Sequence, residues 1–192
     1  MSEKNNVSVG KPKVAGAVYR APVGTTLPTD ATSTLNQAFK GVGYVSEDGV
    51  TNTISKTTQK IKEWGGAVVL VTQTESSDQV KMKLIESLNE EVLKAVFGDS
   101  NVSGSLASGI TVTVDGDEAE EYAWVIDMVL RNSGVKRLVF PSMALVALGD
   151  IVYKSDTAIA YDCTFEATPD GSGNTHYEYI KRAAGSSGSS GS

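Results

Sequence analysis

The carboxylates are the first place to look for chemistry. Asp115, Asp117, Glu118, Glu120 and Glu121 crowd one short stretch, and hard cations such as Ca2+ and Mg2+ take oxygen ligands. The spacing lacks the set oxygen positions and closing Glu of an EF-hand loop. Asp115-Gly116 also fits a hairpin turn carrying solvated charges, and that reading is preferred. Cys163 and His176 are the single thiol and single imidazole. One cysteine excludes a disulfide framework and a multi-thiolate metal site. Cys163 alternates with Tyr161 and Phe165, so it reads as a small buried hydrophobe. A nucleophile there would need an activating base, and His176, beside a Gly/Ser-rich turn, reads as a surface residue. The 19 glycines form no phosphate cradle. Gly41-Val42-Gly43 lacks the third glycine of the dinucleotide fingerprint, and neither a Walker loop nor a Gly-x-Ser-x-Gly elbow occurs. Trp64 and Trp124 fit core or interface anchors better than base-stacking platforms. No catalytic residue, metal ligand or cofactor site is expected.

Composition narrows the class further. A chain of 192 residues with 40% hydrophobic and 21% charged residues can bury one full core and is neither disordered nor membrane-like. No apolar run approaches the roughly 20 residues of a spanning helix. The N-terminal MSEKNNVSVGKPK has no apolar signal-peptide region, so synthesis and use in a cytoplasm are expected, with no membrane partner. The net charge of -6 disfavours a grip on nucleic acid, whose affinity comes from Lys and Arg.

The elements that would position these residues are mostly strands. Residues 1–13 are polar and aperiodic and read as a flexible N-terminal arm. Residues 14–40, with Pro22 and Pro28, look extended and irregular, and must lie against their own domain or a neighbour. Glu47-Asp48-Gly49 signals a tight turn. Residues 50–64, rich in Thr and Lys, suggest a strand with two polar faces, hence a projecting loop or hairpin over 46–65. AVVLVT at 67–72 resembles a core strand covered on both sides. Ser76-Ser77-Asp78-Gln79 offers a capping box. The 3- and 4-residue recurrence of Leu84, Ile85, Leu88, Val92 and Val96 predicts an amphipathic helix over 77–97, closed by Gly98. Further strands are expected at Ile110–Val114 and at Tyr122–Leu130, the latter with Glu121, Asp127 and Arg131 on its polar face. Residues 135–140 form another, with Pro141 between two strand-like pieces. Ile159–Glu166 and Thr175–Ile180 complete the set, joined by a turn at Pro169-Asp170-Gly171. Residues 14–182 are read as one mainly β domain, and 183–192 as a Gly/Ser linker or tag.

With these residues set out, the chain resembles the major tail (tail tube) proteins of siphophages over about residues 14–182. The stretches that carry the resemblance are APVGTTLPTD, GYVSEDGVTNTISKTTQKIKEWGGAVV, SDQVKMKLIESLNEEVLKAVFG and LVFPSMALVALGDIVYKSDTAIAYDCTFEATPDGSG. The resemblance implies a β-sandwich or barrel with one flanking helix. It also implies hexameric rings stacked into a tube through which phage DNA passes during ejection. Contractile tails, tailocins and bacterial secretion tubes share a similar fold. The long loop of that family bridges to a neighbouring ring, supported by terminal arms. Residues 46–65 match that loop by position, with Val45, Ser46, Asp48, Val50, Ile54, Lys56, Lys60 and Trp64 as contact candidates. From the preceding segment Tyr19, Pro22 and Leu27 join them. Asp115, Asp117, Glu118, Glu120, Asp162 and Glu166 are candidates for an acidic lumen or for solvated loops. Implied partners are further copies of the chain, a tape measure protein, a tail terminator, and DNA that passes without specific binding, all within the virion tail. Some relatives carry an immunoglobulin-like domain where GSSGSSGS stands. Two other readings stay open: a single-ring terminator, completion protein or secretion-tube relative of the same fold, and an enzyme using the 115–121 carboxylates with a divalent ion.

Overall fold

A computed structural model describes residues 6–13, 16–131 and 134–182. In chain order the strands are β1 (Lys11–Pro12), β2 (Val18–Pro22), β3 (Lys40–Gly41), β4 (Val45–Lys62) and β5 (Val68–Leu84). Helix α1 (Glu90–Phe97) and a 3-10 turn (Asp99–Asn101) follow. Then come β6 (Val102–Ser105), β7 (Gly109–Val112), β8 (Tyr122–Val129), β9 (Gly134–Leu148), β10 (Tyr161–Ala167) and β11 (Tyr177–Arg182). Among the described residues the architecture is mainly β, sandwich-like, with a single α-helix.

One sheet runs β3-β2-β8-β9-β10-β5-β4, all pairs antiparallel, with β1 on β8 and β11 on β9. Strand β9 turns the corner. Its first half takes β11 as outer neighbour and its second half takes β10. Pro141 sits inside this continuous strand, and not between two. It lies where the β8–β9 register slips between Tyr122 and Trp124, so the ladder there does not call on its missing N–H. The bend brings β2, β8 and β9 over β10 and β5. Trp124, Phe140, Phe165, Met82 and Leu84 fill the space between and are fully buried. Trp124 and Phe165 stack at a tilt with ring centroids 4.6 Å apart.

Strand β8 is buried on both sides, and this overturns the expected polar face. Asp127 points into a second core, where Arg137 grips it with Nε–Oδ1 2.6 Å and Nη2–Oδ2 2.9 Å. Arg137 Nη1 donates onward to the carbonyls of Asp30 and Ser33 at 3.0 and 2.9 Å. These bonds fasten the 23–39 segment over Ala21, Ala123, Val125 and Val139, with Leu27, Leu35 and Phe39 packed beneath it. The described part of the 14–40 stretch, from residue 16 on, therefore lies on its own domain, and Val18 and Ala21 make β2 a core strand. Within the described part of the N-terminal arm, Lys11 and Pro12 pair with Val129 and Met128.

The helix is shorter than its sequence signal. Residues 77–84 are strand, and α1 begins only after Asn89, whose Oδ1 accepts from the Glu91 N–H at 3.0 Å. Gly98, at φ 93°, closes α1 and donates to the Lys94 carbonyl. Val92, Leu93, Ala95 and Val96 are its buried face. The period-2 series Asp78, Val80, Met82 and Leu84 faces inward, with Lys81 and Lys83 outward. Two ladders, to β4 and β10, hold that segment extended, and a capping box cannot compete with two rows of backbone bonds. Leu88, counted in the helical stripe, is exposed. Two expected turns are also revised. Asp48-Gly49 lies within β4, at a bulge between Val45 and Val50 with Gly49 at φ 73°. Residues 113–121 carry no strand on either side of Asp115-Gly116. Residues 183–192 lie outside the described residues.

Candidate assembly surface

Strands β4 and β5 form one long hairpin. Strand β10 supports only Gln79–Leu84 of β5. Among the described residues, the stretch from Val68 to Asp78 has β4 as its sole ladder partner, so about 35 Å of two-stranded ribbon projects beyond the body. The tip is closed by Glu63 N–H to the Ala67 carbonyl, 2.9 Å, with Gly66 at φ 92°. The run Val68–Val71, expected in the core, is instead 47 to 61% exposed. Trp64 is fully exposed at the tip, and Ile54 and Ile61 are exposed along β4. Residues opposite one another share a face. Lys56, Lys60 and Lys62 stand against Ser76, Val71 and Val68 on one face, while Ile61 meets Leu70 on the other. Apolar and basic side chains thus cover a ribbon that has no core beneath it.

The root of the hairpin is polar and buried. Asp78 is 2% exposed. It accepts from Asn52 Nδ2 on β4 at 2.6 Å, from Thr175 Oγ1 at 2.6 Å, and bonds to His176 Nδ1. Burial pushes the Asp78 carboxyl up, but the bonds from Thr175, Asn52 and His176 outweigh it and hold the group below the ordinary carboxylate value. The His176 ring rests on Phe140, centroids 5.0 Å apart. His176 is therefore not a free surface residue. It ties the turn before β11 to the hairpin.

The other predicted contact residues divide. Ile54, Lys56, Lys60 and Trp64 lie exposed on the ribbon, and Asp48 and Pro22 are exposed on the body. Val45 and Val50 pack on the interior core, Tyr19 and Leu27 on the outer one. Ser46 is half-buried, its hydroxyl donating to Asp48 at 3.2 Å. Of the acidic candidates, Asp115, Asp117, Glu118 and Glu120 are exposed in one loop. Asp162 is exposed and Glu166 half-buried on β10, away from that loop. Glu120 accepts from the Tyr122 hydroxyl, and Glu121 from Ser142 Oγ at 2.7 Å and Thr168 Oγ1 at 3.0 Å. Among the described residues no three His, Cys, Asp or Glu side chains are grouped to hold a metal ion. Cys163 is fully buried, and burial, with Asp162 adding, pushes its thiol up to about 12.

Sequence reasoning missed a further buried cation, Arg20. It reaches from β2 to Asp99 at 2.5 Å and to Glu91 at 3.3 Å, and covers the Tyr122 ring at 4.4 Å. An arginine at the centre of an apolar strand, VYRAP, was the available signal. Among the described residues no helix is long and apolar enough to cross a membrane.

The fold is thus a sandwich-like β domain with exposed apolar side chains along a projecting ribbon. Residues 3–189 match the family described as phage tail tube protein, and the chain belongs to that family. It is accordingly a structural component of the phage virion tail. No curated protein matches it.

Proposed function

We propose that the chain closes into hexameric rings which stack into the tail tube, the conduit for phage DNA during ejection. The observation that supports this reading best is the exposed apolar ribbon of β4 and β5. A two-stranded ribbon is marginal in water alone, and contiguous exposed apolar surface marks a protein interface. Its contact with the body of another copy joins unlike surfaces, the geometry that propagates when rotation does not close it and makes rings when it does. The net charge of -6 suits a conduit, because like charge keeps DNA from sticking. A tape measure protein within the tube and a terminator at its end are the further partners of this reading.

The test removes the ribbon and keeps its root. Replacing residues 56–76 by Asn-Gly leaves Ser55 opposite Ser77 across a two-residue turn, and spares Asn52 and Asp78. The expected product is a folded monomer that forms no tubes in negative-stain images, whereas the full chain forms long ones. Tubes of ordinary length from the trimmed chain would refute the proposal. Single rings from the full chain at every concentration would favour a terminator-like role.

A further inference from the structure

The ribbon and a groove at the far end of the strands match each other in charge and in apolar character. The register fixes their relative placement. Leu84 pairs with Tyr161 and Gln79 with Glu166; Cys163 pairs with Leu148 and Ala167 with Met143; Met143 pairs with Tyr122 and Val135 with Val129. Followed across the sheet, the direction in which the hairpin leaves the body is the direction in which β8 runs from Tyr122 to Val129. The groove lies beyond the opposite end, before Tyr122. It is a cavity of about 430 Å3 between the C-terminal end of α1, the 114–120 loop and the end of β9.

Its rim carries exposed Val114, Val146 and Leu148. Asp115, Asp117, Glu118 and Glu120 line it as well, with Lys94 the one cation among its lining residues. Trp124 also lines it, and among the described residues its buried indole N–H meets no acceptor, an unmet donor that costs free energy. Helix α1 and the carboxylates leave this end both apolar and negative. The ribbon face bearing Lys56, Lys60, Lys62, Val68 and Val71 is apolar and positive, while Glu75, opposite Thr57, lies on the other face.

We infer that the hairpin of one copy docks, by its lysine-bearing face, in the Val114/Val146/Leu148 groove of the next copy. Oppositely charged patches steer association and fix register. Because ribbon and groove lie at opposite ends of the sheet, the contact is head-to-tail and each added copy presents a fresh groove. This inference rests on the assembly reading above and adds the receiving surface to it.

Zero-length carbodiimide cross-linking of assembled full-length protein tests it, because that reagent joins a lysine to a carboxylate in contact. The expected peptides link Lys56, Lys60 or Lys62 to Asp115, Asp117, Glu118 or Glu120, and are missing from dilute monomer. Charge reversal gives a second arm, with folding checked by far-UV circular dichroism. K56E/K60E/K62E and D115K/D117K/E118K should each lower the assembled fraction at least tenfold, and one chain carrying both sets should recover it. Links from these lysines only to other carboxylates, or normal tubes from either triple variant, overturn the docking while leaving tube formation intact. Failure of the unaltered chain to assemble at all removes the tube reading, and this docking with it.

Discussion

Asp78 is a buried carboxylate that joins β4, β5 and the turn before β11. Its folded pKa is depressed, so the stability it lends is present above its ordinary value near 3.8 and is lost as pH falls through the folded value. Asp78→Ala leaves Asn52, Thr175 and His176 without their shared acceptor and is expected to cost about 3 kcal/mol near neutral pH. Thermal unfolding of both proteins from pH 7 down to pH 2 checks it, and the gap should shrink only in the acid limb. Phe165→Ala, which removes the partner of Trp124, should cost ~3–5 kcal/mol by denaturant titration. Cys163 should resist a thiol-specific alkylator at pH 8 until the protein is unfolded, since both its burial and its raised pKa withhold the thiolate. The identity of Cys163 as a core residue was legible from its alternation with Tyr161 and Phe165. The pairing of Asp78 with His176 was not, because they lie far apart in sequence and only the meeting of β5 with the turn before β11 joins them.

At the level of elements, Asn89→Ala should destabilise by about 1 kcal/mol, as loss of the cap that starts α1. The same circular-dichroism melt would show no such effect for Ser76→Ala or Ser77→Ala, which sit on the ribbon and cap nothing. This contrast marks where local pattern stops being informative. The strand Tyr161–Ala167 was readable because one ladder face is buried and the other is wet, so its alternation is clean. Residues 77–84 satisfy a strand pattern and a helix pattern at once. Only ladders to two partners, which local sequence does not encode, choose between them. The Val68–Val71 run misled for a different reason. A continuous apolar run reports that a segment will be covered, and not whether its own domain or another chain covers it. The polar face expected of β8 failed similarly, because Asp127 is answered by Arg137 on the next strand.

For the whole molecule, the ribbon amides of residues 55–76 should exchange quickly with deuterium in dilute monomer and become protected in assembled tubes, with β8 protected in both. Mass spectrometry of the two states reads this directly, and equal exchange in both would remove the ribbon from the interface. One further property follows from the unbroken course of β5 from the exposed tip to Leu84 in the core. A load applied along the ribbon arrives at the β5–β10 ladder parallel to the strands, so the hydrogen bonds between Gln79–Leu84 and Tyr161–Glu166 are strained together, in shear, and not opened one after another from an end. The hairpin is thus anchored as a tensile tie, whose resistance to pulling is set by the strength of the whole ladder.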